Sequence, residues 1–396
     1  MTRLLLPLCT VLFLCYATIG LPLPVLPGHV HHALGFDALL VALTIGVQSV
    51  STLATRHMAG TMVDVRGPRR AVFAGVLVCA LACGVYLVSI PFAAHSPAAS
   101  LDVLLLGRAI LGLGESLATT GVLSWAVALV GRERAGRAMA WVGISMYGAL
   151  AVGAPVGAAI AKAYGFAGVS LAAMVAPLLG IAVMRAIPEV KPTGAARAPF
   201  HRVLGVVWRQ GAGLTLATLG FGTLAAFGPL YYQAHGWSGS AAALTAFGAA
   251  YIVARLFFGT FPDRFGGARV AVVSLAVEIV GQLLLAQASS PAGAMAGATL
   301  TGFGFSLVFP SLGVEAVRHA PPANRGVVLG AYVAFFDVAI GLLVPLSGGL
   351  VRAMGYGAAF VAGAAASGLA VVLTLSPSRF SFPRTARVSE QPDRTS

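Results

Sequence analysis

Long apolar stretches alternate along the chain with short clusters of charge, Pro and Gly. An α-helix needs about 20 predominantly apolar residues to cross the hydrocarbon core of a bilayer. A transmembrane β-barrel would instead show alternating segments of about ten residues, whereas runs such as Leu101–Leu129 are continuous. Taken in order, the runs predict twelve spans at about 4–26, 37–59, 69–91, 101–129, 136–161, 166–187, 209–232, 239–261, 268–288, 292–317, 326–351 and 356–376. The expected fold is all-α and integral to a membrane. The longest polar segment, PEVKPTGAARAPFHRVLGVVWR from Pro188, divides the spans into two sets of six. This predicts an N-terminal six-helix half over 1–187, a cytoplasmic linker over 188–208, a C-terminal six-helix half over 209–376 and a cytoplasmic tail over 377–396. The tail is polar and Pro-rich, a composition that favours disorder.

Composition narrows the class. Of the 396 residues, 58% are hydrophobic and 9% charged, against about 25% charged in soluble domains. Water-soluble enzymes, secreted domains and coiled coils are excluded. The net charge of +13 would suggest nucleic acid in a soluble protein. Here its distribution says otherwise. With the N-terminus inside, 22 of the 25 Lys and Arg fall on the cytoplasmic side, Lys162 and Arg352 lie outside, and Arg108 lies within a span. That asymmetry predicts both termini in the cytoplasm. The first apolar stretch, after Arg3, is too long for a signal-peptide core and lacks a small-x-small cleavage site, so it reads as a retained helix.

The chain repeats itself. Arg56, Gly60, Asp64, Gly67 and Arg70 recur 199 residues later as Arg255, Gly259, Asp263, Gly266 and Arg269. Gly112, Gly114, Gly136, Pro155 and Lys162 recur 190 residues later as Gly302, Gly304, Gly326, Pro345 and Arg352. Six spans separate matching points, so the halves must cross the membrane in the same sense. Parallel six-helix repeats with a site between them near the midplane are transporter architecture.

These motifs carry a resemblance. GTMVDVRGPRR after span two resembles the signature loop of the major facilitator superfamily, and GTFPDRFGGAR is similar to it as the second copy. RAILGLGES in span four resembles the superfamily's second motif, an Arg followed by Gly-x-Gly. GAPVGAA in span five, with Gly153 and Pro155, stands where drug–proton antiporters show Gly-Pro followed by two glycines; Ala154 and the pair Ala158–Ala159 depart from that pattern. GLPLPVLP, YGALAVGAP, FPDRFGG and FFDVAIG look like the YhhS-like, arabinose-efflux-permease-like subgroup. The resemblance implies the major facilitator fold, a bacterial inner-membrane location, and a loop that latches the two halves on the cytoplasmic side and breaks as the transporter switches. The latch residues are then Gly60, Asp64, Gly67 and Arg70, with Gly259, Asp263, Arg264, Gly266 and Arg269 in the second copy. Plain topogenic charge is the competing reading. Val65 departs from the motif, which usually has a basic residue there, as Arg264 is in the second copy. Gly112, Gly114, Gly153, Pro155 and Pro345 are the expected helix-packing and switch positions.

Ionisable groups inside spans are costly and default to functional candidates. Four qualify: Arg108 and Glu115 in span four, Glu278 in span nine and Asp337 in span eleven. Their repeat-related positions are Ala298, Phe305, Cys79 and Tyr147, so the charges are asymmetric and suit a ligand or a coupling ion better than a scaffold. Arg108 and Glu115 lie two turns apart, about 10 Å along one face, and form either a structural ion pair or a coupling pair. The resemblance links the span-four Arg to proton coupling. Asp337 is either a static hydrogen-bond partner or a proton carrier, and Glu278 serves either packing or function. Cys9, Cys15, Cys79 and Cys83 read as packing thiols, and His29, His31 and His32 as a solvated outside loop. Walker, HExxH and nucleophile-elbow motifs are absent from the sequence. The leading expectation is a proton-coupled secondary transporter exporting small organic solutes, with a proton-coupled importer of a sugar or organic acid as the alternative. It needs no cofactor or metal beyond the proton gradient. The expected partners are the lipid bilayer, a small-molecule substrate and protons, with no nucleic acid, and the chain is expected to be a monomer.

Overall fold

The computed structural model describes residues 2–131, 135–190, 200–318 and 325–376. Residues 191–199 of the predicted linker and the whole of the predicted tail lie outside them. Among the described residues there is no strand. The principal helices are α1 (Thr2–Gly20), α2 (Ala38–Arg66), α3 (Pro68–Ser89), α4 (Pro97–Val130), α5 (Ala135–Met184), α6 (Phe200–Ala234), α7 (Ser240–Phe258), α8 (Gly267–Ala286), α9 (Pro291–Val317), α10 (Arg325–Val338), α11 (Val344–Met354) and α12 (Tyr356–Leu375). Nine helical stretches of the described residues are long and apolar enough to cross a membrane. Large apolar side chains such as Leu81, Leu106, Leu179, Val273 and Leu346 stand exposed around the bundle, as a lipid-facing surface requires.

Local chemistry sets the helix ends. Asp37, Ser96 and Ser290 each accept a backbone N–H three residues on, at the starts of α2, α4 and α9, and Pro97 and Pro291 occupy the first helical positions, where no donor is lost. Gly67 (φ 87°) ends α2 and Gly266 (φ 90°) precedes α8, both in a left-handed backbone that only glycine adopts cheaply. Gly165 (φ 65°) interrupts α5 and Gly355 (φ 86°) separates α11 from α12. The first pair is 199 residues apart and the second 190, the two shifts of the sequence repeat. At 50 residues α5 is far too long for one crossing, and Gly165 divides it at the predicted boundary between spans five and six.

Packing repeats in the same way. α4 lies on α2 and α3, as α9 lies on α7 and α8; α1 packs on α5 as α6 packs on α10. A Cβ on Gly112 would collide with the Gln48 carbonyl oxygen, and one on Gly302 with that of Phe247. Gly114 sits likewise against the backbone at Cys79, and Gly304 against Glu278. α5 against α7 and α2 against α11 join the two sets of helices. Between α10 and α11 the backbone opens into a π-helical turn, Ala339–Leu343. Pro345 offers no N–H to the Gly341 carbonyl. Gly46 of α2 fits beside the loosened turn, where a Cβ would come 2.6 Å from Pro345 Cγ and 3.1 Å from the Ile340 oxygen.

Candidate functional site

Asp337 ends the regular part of α10, two residues before the π-helical turn, a type of irregularity common at functional sites. Its carboxylate, 3% exposed, receives the Arg56 guanidinium of α2: Nε donates at 2.7 Å and Nη2 at 2.5 Å, both to Oδ2. The pair therefore ties α2 to α10 at the junction of the two sets of helices, with Asp337 buried and Arg56 half-buried. By sequence alone Arg56 falls among the cytoplasmic charges. The structure instead turns its side chain inward, because Asp337 offers the anion that a buried guanidinium requires. Arg56 is a residue of the candidate site that sequence reasoning misses. A signal for it exists: it opens the repeated motif but lies inside a predicted span.

Glu115, near the middle of α4, lies within electrostatic reach of both Arg56 and Asp337. It accepts the Tyr16 hydroxyl at 2.8 Å on Oε1 and the Gln48 side-chain amide at 2.7 Å on Oε2, and the Thr52 hydroxyl stands 3.1 Å from Oε2. Three neutral donors from α1 and α2 thus hold it, and Arg108 does not. The Arg108 guanidinium is buried and donates to the backbone oxygens of Thr44 at 2.9 Å and Ile45 at 3.3 Å. Its contacts therefore fasten α4 to α2. Tyr16, Gln48 and Thr52 are uncharged, so a search for charges inside spans passes over them.

Glu278 sits elsewhere. It is fully buried on α8, its carboxyl oxygens without hydrogen-bond partners among the described residues, facing Gly220 of α6. It packs against Gly304 as Cys79 packs against Gly114. The structure brings Asp337 and Glu115 to one site with Arg56 and leaves Glu278 apart from it. The four cysteines are buried and free.

The two ends of the bundle differ. At the end carrying the connection from α1 to α2, Arg352 of α11 reaches Asp37 of α2 at 3.3 Å and His32 Nε2 lies 2.5 Å from Gln233 Oε1. The histidine trio is less solvated than expected. His29 stacks on Phe166 with ring centroids 4.1 Å apart, and burial lowers its pKa below the ordinary histidine value. At the opposite end Asp64 is half-buried, while Asp263, Arg264 and Arg269 are exposed. No side-chain hydrogen bond or ion pair joins those three to other described residues. There Glu315 accepts the Ala268 backbone N–H at 3.2 Å, and it pairs with Arg318 at 3.5 Å as an i,i+3 couple. A carboxylate at the start of a helix complements its dipole, and Glu315 does this for α8. Because Arg352 and Asp37 are 70% and 38% exposed, Arg352→Ala should change stability by less than about 1 kcal/mol. Thermal unfolding in detergent should move by no more than a few degrees; a large drop would mean the pair is a main fastening.

The family model described as Major Facilitator Superfamily matches residues 8–249 and again 211–394. An uncharacterised MFS-type transporter of Burkholderia mallei (strain SAVP1) is 44% identical over 377 residues, covering 95% of this chain and 91% of that protein. One from Salmonella typhimurium (strain LT2) is 43% identical over 363 residues, covering 91% and 93%. The crystal structure of the human organic anion transporter MFSD10 (TETRAN) is similar in fold, with a TM-score of 0.71 over 94% of this chain and 99% of that one, at 16% identity.

Proposed function

The chain belongs to the major facilitator superfamily and is a membrane transporter rather than an enzyme, and from that premise we propose that it is a proton-coupled secondary transporter that exports small organic solutes by alternating access. The observation that carries the reading is the cluster of half-buried Arg56 and Glu115 with buried Asp337, built by α2, α4 and α10 where the two sets of helices meet. One cation there faces two carboxyl groups, so one proton completes the charge balance. Separating α2 from α10 removes the cation from Asp337, and the proton balance changes with it. A conformational change thereby becomes a proton-transfer step. Arg108, bound to backbone carbonyls, acts in this scheme by positioning α4 against α2.

A bundle of twelve crossings in two parallel repeats supports the mechanism. Besides the nine long apolar stretches, α1, α4 and the second arm of α5 supply the others. The duplicated Gly turns and Gly-to-backbone contacts relate one half to the other. With the cytoplasmic termini of the charge rule in a bacterial inner membrane, the end carrying the Arg352–Asp37 pair is the outer one. The YhhS-like likeness favours export, while the departures at Ala154, Ala158 and Ala159 favour the importing alternative.

Transport in proteoliposomes with an imposed pH gradient, screening sugars, organic anions and amphiphilic cations, tests the proposal. Substrate moving against the proton flow supports export, co-directional movement supports the importer, and transport indifferent to the gradient overturns proton coupling. Asp64→Asn and Asp263→Asn should slow switching while leaving insertion intact, since each removes the anion at a repeated latch. Cysteine-labelling accessibility at the two faces reads this directly. Wild-type accessibility on both faces in both variants would remove the latch from the mechanism.

A further inference from the structure

Arg255 of α7 is the repeat counterpart of Arg56, and Tyr147 of α5 is the counterpart of Asp337. The first pair is an ion pair across the junction. The second cannot be one. Arg255 is 8% exposed, and its Nη2 donates to the Tyr251 hydroxyl at 2.6 Å and the Ser306 carbonyl at 2.7 Å. Its Cζ lies 5.1 Å from the Tyr251 ring centroid, and Nε is buried with no partner among the described residues. No carboxylate pairs with it among those residues. Where symmetry would place the carboxylate, Tyr147 stacks on Tyr251 with centroids 3.8 Å apart.

A guanidinium stays charged in any protein environment, and a buried charge without a counter-charge is strongly unfavourable. Among the described residues Arg255, like Arg108, lacks a carboxylate, and Arg255 lacks it at the junction of α5 and α7, where its repeat counterpart Arg56 has one. Around it Phe221, Phe247, Phe305 and Phe336 join the two tyrosines in a continuous group of rings, with neighbouring centroids 3.8 to 6.4 Å apart. Such rings accept a flat apolar body by offset or edge contacts, and a guanidinium binds a carboxylate through paired N–H donors.

We propose that the transported substrate is a ring-bearing organic anion, its carboxylate or sulfonate bound by Arg255 and its ring held by the aromatic group around Tyr147 and Tyr251. This rests on the alternating-access reading, in which parting of α5 from α7 lets the ligand's ring replace a ring-to-ring contact. The proton site at Arg56–Asp337 and the anion site at Arg255 are then the two repeat-related junctions, one keeping its own carboxylate and the other taking the ligand's.

Equilibrium binding to the purified full-length protein in nanodiscs, with no gradient, tests this separately from coupling. The probes are 1-naphthoate, 1-naphthalenesulfonate and the neutral 1-naphthylmethanol. Both anions should bind, and the alcohol should bind much more weakly. Arg255→Gln should weaken anion binding by about 30-fold or more, as loss of one partner of a buried charge pair does, and should leave the alcohol unchanged. Tyr147→Asp installs the carboxylate that symmetry lacks. It should likewise abolish anion binding while Arg255 remains, so a folding defect in Arg255→Gln does not decide the matter. Equal binding of anions and alcohol, no binding of either anion, or unchanged affinity in both variants overturns the proposal. Anion binding through Arg255 without gradient-driven transport would instead refute proton coupling and leave the anion site standing.

Discussion

Asp337→Asn should abolish accumulation of substrate against its gradient while sparing exchange of substrate across the membrane. A pH difference of one unit is worth about 1.36 kcal/mol per proton, so a one-to-one coupled carrier builds about a tenfold gradient. A variant that cannot carry the proton stays near unity. The amide keeps the size of the carboxyl group and still accepts from Arg56, whose Nε lies 2.7 Å from the aspartate oxygen, so the helices can still meet. What is lost is the exchange between an ion pair and a protonated acid as α2 parts from α10. Arg56→Gln should also uncouple, because it removes the cation that the moving helix takes away. Glu115→Gln keeps a group able to meet Tyr16, Gln48 and Thr52 and tests whether the second carboxyl shares the role. Accumulation and counterflow measured side by side in the same proteoliposomes give the answer. Full accumulation in Asp337→Asn and Glu115→Gln, singly and together, would remove this cluster from coupling and turn attention to Glu278.

Gly112→Ala should be among the most destabilising single changes in the protein, and Gly302→Ala should match it. Each added Cβ would run into a backbone carbonyl oxygen, that of Gln48 or Phe247, which cannot rotate away as a side chain would. The helices must move apart instead. Overpacking a well-fitted core costs about 1–3 kcal/mol, and a rigid backbone obstacle puts these sites at the upper end. At Gly112 the displaced helix is α2, which carries Gln48, Thr52 and Arg56, so the polar cluster should be disturbed as well. The expected result is a fall of several degrees in thermal unfolding in detergent for both variants, with loss of transport in Gly112→Ala. Gly349→Ala is the control, since a Cβ there meets nothing. Equal stability of all three variants would show that the close approach of α2 to α4 and of α7 to α9 is not what these glycines provide.

Glycine roles are largely legible from the chain. The repeat shifts of 199 and 190 residues pick out Gly67, Gly266, Gly112 and Gly302 from the amino-acid order alone. A residue without a Cβ, kept at matching places in both halves, points to a positive φ or a close helix contact. Gly165 and Gly355 form a further related pair that stands out only by its backbone angles. The candidate site is only half legible. Glu115 and Asp337 stand out because charge is costly in an apolar span, but their partners do not. Arg56, close to the basic loop, reads as a surface charge. Helical spacing pairs Arg108 with a carboxylate that three neutral donors hold instead.

By itself the sequence determined that this chain is a helical membrane protein with two related halves, because apolar run length, the fall of charge and the places of glycine act locally along the chain. Only the tertiary structure decided which charges meet. Arg56 and Asp337 are 281 residues apart, and no periodicity on either helix reports the rotation that brings them together. That rotation is set by the glycine contacts that let α2 approach α4 and by the π-helical turn that sets α11 against α2. The same geometry gives Arg56 a carboxylate and leaves its counterpart Arg255 with the Tyr251 hydroxyl and the Ser306 carbonyl.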